Sequence, residues 1–223
     1  MSADAETWQP IPPPERRVLG VLIEKQKTSK TADAYPMTLN SIVSGCNQKS
    51  NRDPVTEYDD VDVEETLDAL QKKGVVVKMT GSRVDRWRHQ LYELWRVTKF
   101  EMAILAELLL RGPQSEGDLR GRASRMDDIA DLDALREHLK SLSARGLVIY
   151  LTAADRRGAM LTHGFHTPDE LDAARRNALV VGGNEPAPRS AGASDAKLQQ
   201  ILDEVASLRD RVAKLEARFP AAS

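Results

Sequence analysis

The chain has 223 residues, 41% hydrophobic and 30% charged, the balance of a globular protein with well-solvated helices rather than of a disordered chain. A formal net charge of −2 excludes a global positive field, so contact with nucleic acid or an anionic membrane depends on a local patch. The single cysteine, Cys46, excludes an internal disulfide and a multi-thiolate metal centre, and it suits a reducing compartment.

The first residues, MSADAETWQPIPPPE, show neither a basic n-region nor an apolar h-region, and no apolar run approaches the roughly 20 residues that span a bilayer. The expectation is a cytoplasmic protein with no membrane contact, whose residues 1–14 form a disordered lead-in. After the proline-rich IPPPE, Val18, Leu19, Leu22 and Ile23 recur at helical spacing, and proline before the first turn suits a helix start. A second helix follows Tyr35-Pro36 with Leu39, Ile42 and Val43 on one face. A third carries Val63, Leu67 and Leu70 and stops at Gly74. From Val75 the period changes: VVVKMTGSRVDRWRHQLYELW alternates around Gly81-Ser82 and predicts a β-hairpin.

The order then restarts. FEMAILAELLL, from Phe100 to Leu110, predicts a strongly apolar helix ended by Gly112-Pro113, and Ser115 to Asp118 reads as a capping box. LDALREHLKSLSARG and the hairpin LVIYLTAADRRGAMLTHGF complete the unit. Leu67, Leu70 and Gly74 match Leu139, Leu142 and Gly146 in spacing, and Leu19, Leu22 and Ile23 match Leu105, Leu108 and Leu109, so the chain contains one unit twice. Three helices closed by a hairpin is the winged-helix order. The fold class expected is mainly α with small β-hairpins: winged-helix domains over 15–97 and 98–180, a flexible linker over 181–193 and a coiled-coil helix over 194–220. Glu15–Trp95 and Phe100–Phe165 are each expected to collapse around a separate core. Thr167-Pro168-Asp169-Glu170 predicts a further helix start.

Leu22 to Gln26 followed by Tyr35-Pro36, CNQKSNRDPV from Cys46 to Val55, and LLLRGPQSEGDLRGRASRM from Leu108 to Met126 resemble the YceH-like family of uncharacterised bacterial proteins. The resemblance runs from about Glu15 to about Phe165. It implies two winged-helix domains and supplies no reaction, ligand or DNA site.

Winged-helix domains usually read DNA with the third helix while the wing touches phosphates. Here the first third helix and its approach carry Asp53, Glu57, Asp59, Asp60, Asp62, Glu64, Glu65 and Asp68, with no basic residue before Lys72 in the helix itself, and Asp127, Asp128, Asp131 and Asp133 precede the second. Carboxylates there repel phosphate. The wings are the opposite: Lys78, Arg83, Arg86 and Arg88 in the first, Arg156 and Arg157 in the second, with Arg120, Arg122 and Arg125 nearby on a helix. Three readings stand side by side: arginines that only solvate hairpins, wings that hold double-stranded DNA by its phosphates, and recognition-helix readout, which the acidic helices disfavour.

Asn47, Gln48, Lys49, Asn51 and Arg52 form either an interaction loop for a protein partner or anion, or a self-satisfied insertion packed on the domain. Cys46, on an apolar helix face, reads as a small buried hydrophobe. His163 and His166 have a metal-pair spacing without a third ligand, and no catalytic motif is present, so neither metal, cofactor nor enzymatic activity is expected.

After the linker, Leu198, Ile201, Val205, Leu208, Val212 and Leu215 alternate steps of three and four, a heptad repeat with valine at a and leucine at d, which favours a parallel homodimer. A helix folded back on its own domains is the alternative. The function expected is a DNA-associated regulator that contacts phosphates through its wings as a dimer, or a protein-interaction scaffold built on the same domains.

Overall fold

The computed structural model describes residues 8–81 and 83–182. Helix α1 (Pro13–Thr28) is followed by a 3₁₀ turn (Ala32–Ala34), strand β1 (Met37–Thr38), α2 (Leu39–Cys46), α3 (Asp60–Lys72), β2 (Val76–Met79), β3 (Arg86–His89) and a short α4 (Leu91–Trp95). The second half runs α5 (Lys99–Arg111), β4 (Gln114–Ser115), α6 (Glu116–Ala123), α7 (Leu132–Ala144), β5 (Val148–Tyr150), β6 (Met160–His163) and α8 (Pro168–Gly182). Each half thus folds as helix, strand, helix, helix and hairpin. The two sheets are antiparallel, three-stranded and share one topology, β1-β3-β2 and β4-β6-β5.

The repeat persists at atomic detail. Gly74 and Gly146 both take φ 70°, the left-handed conformation that ends a helix cheaply only at glycine. Behind them Val75 N donates to Leu70 O at 3.0 Å, and Leu147 N donates to Leu142 O at 2.9 Å. The third helices open on aspartate caps: Asp59 accepts from Asp62 N, and Asp131 accepts from Ala134 N. Thr167 and Glu170 form the reciprocal pair expected at the start of α8, with Thr167 N donating to Glu170 Oε2 at 2.8 Å and Glu170 N to Thr167 Oγ1 at 3.3 Å.

Four expectations are corrected. The two halves do not enclose separate cores: α1 and α5 pack on each other, and the buried apolar residues of both halves form one continuous cluster. Ten consecutive residues of α1, Glu15 to Glu24, and ten of α5, Glu101 to Leu110, are buried, which requires neighbours on every face of both helices. Gly20 permits the approach, since a Cβ there would lie 2.8 Å from the Leu110 side chain. The lead-in is ordered from Trp8: Trp8 Nε1 donates to Arg145 O at 2.7 Å, Ile11 N donates to Phe165 O at 3.0 Å, and α1 begins at Pro13. The first hairpin ends at His89, because Leu91 and Trp95, four residues apart, turn one helical face into the core. The short β1 and β4, which complete the sheets, carry no periodicity long enough to read from sequence. Residues 181 and 182, expected to open the linker, belong to α8, which continues through Gly182.

Candidate functional site

The wings are built alike but grip their own fold to different degrees. In the first, Lys78 and Trp87 face each other across the β2–β3 ladder. Lys78 Nζ stands 5.1 Å from the centre of the Trp87 ring and 2.9 Å from Asp85 Oδ2, so its charge is already engaged. Arg86 Nη1 donates to Asp33 O at 2.7 Å and to Pro36 O at 2.8 Å, tying the wing to the turn before β1. Arg83 and Arg88 are exposed. In the second wing Arg156 and Arg157 are both exposed on the β5–β6 connection. Of the six basic wing residues, Lys78 and Arg86 are held by the contacts just given, and Arg83, Arg88, Arg156 and Arg157 are exposed.

The third helices present what the sequence predicts. Asp60, Asp62, Glu64, Glu65 and Asp68 are exposed on α3, as is Asp133 on α7. The arginines expected on the second unit's middle helix are engaged internally, Arg120 and Arg122 from α6 and Arg125 from the turn just after it. Arg120 donates to Ile129 O at 3.0 Å and also to Ala130 O, Arg122 donates to Gln114 Oε1 at 2.7 Å, and Arg125 donates to Glu107 Oε2 at 3.0 Å. Exposed positive charge thus lies on the two hairpins and exposed negative charge on the third helices.

The polar run after Cys46 is knitted into the molecule. Arg52, with its side chain at 0% exposure, donates from Nε to Gly45 O at 2.9 Å and from Nη2 to Glu24 Oε2 at 2.6 Å and Gln48 Oε1 at 2.8 Å. Asn47 accepts from Tyr58 N at 2.9 Å and donates to Tyr58 O at 2.7 Å, which pins the long connection to α3. Asn51, at φ 60°, accepts from Arg111 Nη2 at 2.8 Å. Only Lys49 of the five expected loop residues is exposed. The run is a fastening, because its partners Glu24 and Arg111 sit on the two central helices. Glu24 also lies 3.7 Å from Arg125, which bonds Glu107 of α5, so a chain of charges crosses the junction of the halves.

Two buried histidines were missed as a pair. His89 and His163 end equivalent strands, opposite Val76 and Val148. Each accepts at Nδ1, from Leu91 N and Phe165 N respectively, both at 3.2 Å. Burial, then Lys27 and Arg88, pushes His89 down to about 4. Burial, then His166 and Arg16, holds His163 well below the usual imidazole range. The hairpin loops differ in length, which hides this correspondence in the sequence. Cys46 is fully buried, and desolvation pushes its thiol up to about 12, so it packs as a hydrophobe. Among the described residues no group of three His, Cys, Asp or Glu side chains could hold a metal ion, and no helix is long and apolar enough to cross a membrane.

The dimerisation residues Leu198, Ile201, Val205, Leu208, Val212 and Leu215 lie outside the described residues.

A family model described as "Protein of unknown function, DUF480" matches residues 11–158. A UPF0502 protein of Rhodopirellula baltica is 41% identical over 96% of this chain and 89% of its own length, and one of an Acidovorax species is 37% identical over 96% of each. A UPF0502 protein of Geobacter sulfurreducens is 52% identical over 59% of each chain. The YceH-like resemblance fits this family.

Proposed function

The chain belongs to the bacterial family of unknown function DUF480, whose matched relatives bear names that state no activity, and from that premise we propose that it is a non-enzymatic winged-helix protein that holds double-stranded DNA by its phosphates. The observation that supports this reading is the outward exposure of Arg83 and Arg88 on one hairpin and Arg156 and Arg157 on the other. The carboxylates on α3 and before α7 confine phosphate contact to the wings, which makes binding weak and nearly indifferent to sequence. A homodimer through 194–220, supported by the heptad spacing of Leu198 to Leu215, doubles the number of wings on one duplex and makes a regulatory role in the cytoplasm practicable. Deleting 194–223 and measuring mass by light scattering tests the dimer: the full chain gives twice the monomer mass and the truncated chain the monomer mass.

Titration of a fluorescent duplex at several salt concentrations tests DNA contact. A dissociation constant between about 10⁻⁶ and 10⁻⁴ M at low salt agrees with wing-led binding, and weaker binding refutes it.

A second reading, a protein-interaction scaffold, is favoured by Val61, 62% exposed on α3 among Asp60, Asp62, Glu64 and Glu65. An apolar side chain ringed by carboxylates suits a basic protein surface with an apolar centre. Affinity capture with and without nuclease separates the two: partners that survive nuclease and are lost on Val61→Asp favour the scaffold.

A further inference from the structure

Where α1, the 47–59 connection, the end of α5 and the segment after β6 meet, a cavity of about 450 Å³ is lined by Arg16, Arg17, Arg111, Thr56, Tyr58 and His166, with apolar walls from Pro54 and Leu109. Arg17 is the unusual member. It is 4% exposed, and its guanidinium donates only to backbone, from Nη1 to Cys46 O at 3.2 Å and from Nη2 to Pro54 O at 2.5 Å. Among the described residues no carboxylate pairs with it. Asp53, exposed at the rim of the cavity, acts on it at longer range. Burial first, and Arg52 second, lower its affinity for its proton, as a positive charge short of counter-charge requires.

Side chains behind the lining, reached through Arg111, add to the excess. Arg52, Arg111 and Arg125 share two carboxylates, Glu24 and Glu107, which leaves one positive charge over. Arg111 Nε lies 2.9 Å from Glu107 Oε1 but off the hydrogen-bond angle, so both atoms lack a bond, and Arg16 Nε lacks one too. Arg16 is held by Glu170 and by Phe165 O at 3.2 Å. His166, 3.5 Å from Arg16, is pushed down by burial and then by that guanidinium, while Glu170 pulls it the other way. Lining and backing together hold more cations than carboxylates, and Arg16 and Arg111 each keep an unbonded N–H.

We propose that this cavity binds a small phosphate-bearing ligand, with Arg17 and Arg111 holding the phosphate and the Tyr58 hydroxyl orienting it. Phosphate fits because its oxygens accept several charge-assisted bonds at once and match the guanidinium fork. The volume exceeds what one phosphate fills, and Pro54 and Leu109 leave an apolar side for an organic group. The ligand would sit where both halves meet and so bind the folded junction rather than either half. The proposal is independent of DNA contact by the wings.

The test uses the full chain, ¹⁵N-labelled, titrated with inorganic pyrophosphate at constant ionic strength, with sulfate as a parallel titrant. The Arg17 Nε–H resonance moves saturably with a dissociation constant below about 1 mM, the melting temperature rises, and Arg111→Gln weakens binding about tenfold. Arg17→Met, which removes the cation with no paired carboxylate, abolishes the pyrophosphate-induced rise in melting temperature while leaving the melting temperature of the unliganded protein unchanged or higher. No saturable shift in the wild-type chain overturns the proposal, as does a full response in Arg111→Gln. An equal response to sulfate overturns it as well and means an adventitious ion only. A drop in melting temperature for Arg17→Met, together with an unresponsive wild-type chain, assigns Arg17 to structure alone.

Discussion

Replacing Arg52 by methionine removes the cation that joins the CNQKSNR run to α1. The side chain makes five hydrogen bonds, to Gly45 O, Asn51 O, Gln48 Oε1 and both oxygens of Glu24. Methionine fills most of the volume and satisfies none of them. Glu24, with its side chain 6% exposed, is left facing Arg125 alone at 3.7 Å. Removing one member of a buried ion pair strands the other, and the usual cost is about 3–5 kcal/mol. Urea unfolding of the wild type, Arg52→Met, Glu24→Gln and the double variant gives the full cycle. The midpoint of Arg52→Met falls by an amount equivalent to about 3–5 kcal/mol at an unchanged slope, and the double variant recovers at least 1 kcal/mol of the summed single losses, within the usual coupling of contacting residues. A loss below about 1 kcal/mol for Arg52→Met, the size of an ordinary surface pair, would refute the view of this run as a fastening.

Together with His163, which burial also lowers, the buried His89 shapes the acid limb of the stability curve. Its folded value, about 4, lies below the usual 6.5, so the unfolded chain binds the extra proton between those values. Stability is then complete above pH 6.5, falls as pH drops towards 4 by up to about 3 kcal/mol, and His89→Gln flattens that fall in urea midpoints measured across the range. Gly164→Ala places a Cβ 1.8 Å from Gly146 O, a backbone atom that cannot rotate away, and calorimetry should register a loss of about 3 kcal/mol. Gly121→Ala is the opposite case: it is exposed inside α6 with open space at its Cβ, and a gain of about 0.5–1 kcal/mol is expected from helix propensity.

What the sequence makes legible is whatever repeats or alternates. Leu67, Leu70 and Gly74 against Leu139, Leu142 and Gly146 reveal the doubled unit, because a left-handed glycine after an amphipathic helix is a strong local demand. The acidic third helices and basic hairpins are legible because exposed charge needs no partner to be recognised. The fusion of the halves is less so, although FEMAILAELLL is apolar on every side and such a helix must be covered on every side. The cavity is the least legible. Arg111 is far in the chain from Arg16-Arg17, and that pair, just after the prolines, reads as a solvated helix start until α5 and the Thr56 to Tyr58 segment close over it. The five-residue polar run shows its polar groups but not their partners, since Glu24, which accepts from Arg52, and Arg111, which donates to Asn51, come from other elements.

The claim on which the functional account rests is that DNA is held by the wings. The direct measurement is the slope of log affinity against log salt for the wild type and for a variant with Arg83, Arg88, Arg156 and Arg157 changed to alanine. Each phosphate contact removed should flatten that slope by about 0.9, so the variant loses both affinity and most of the salt dependence. An unaltered slope and affinity in the variant would contradict the account.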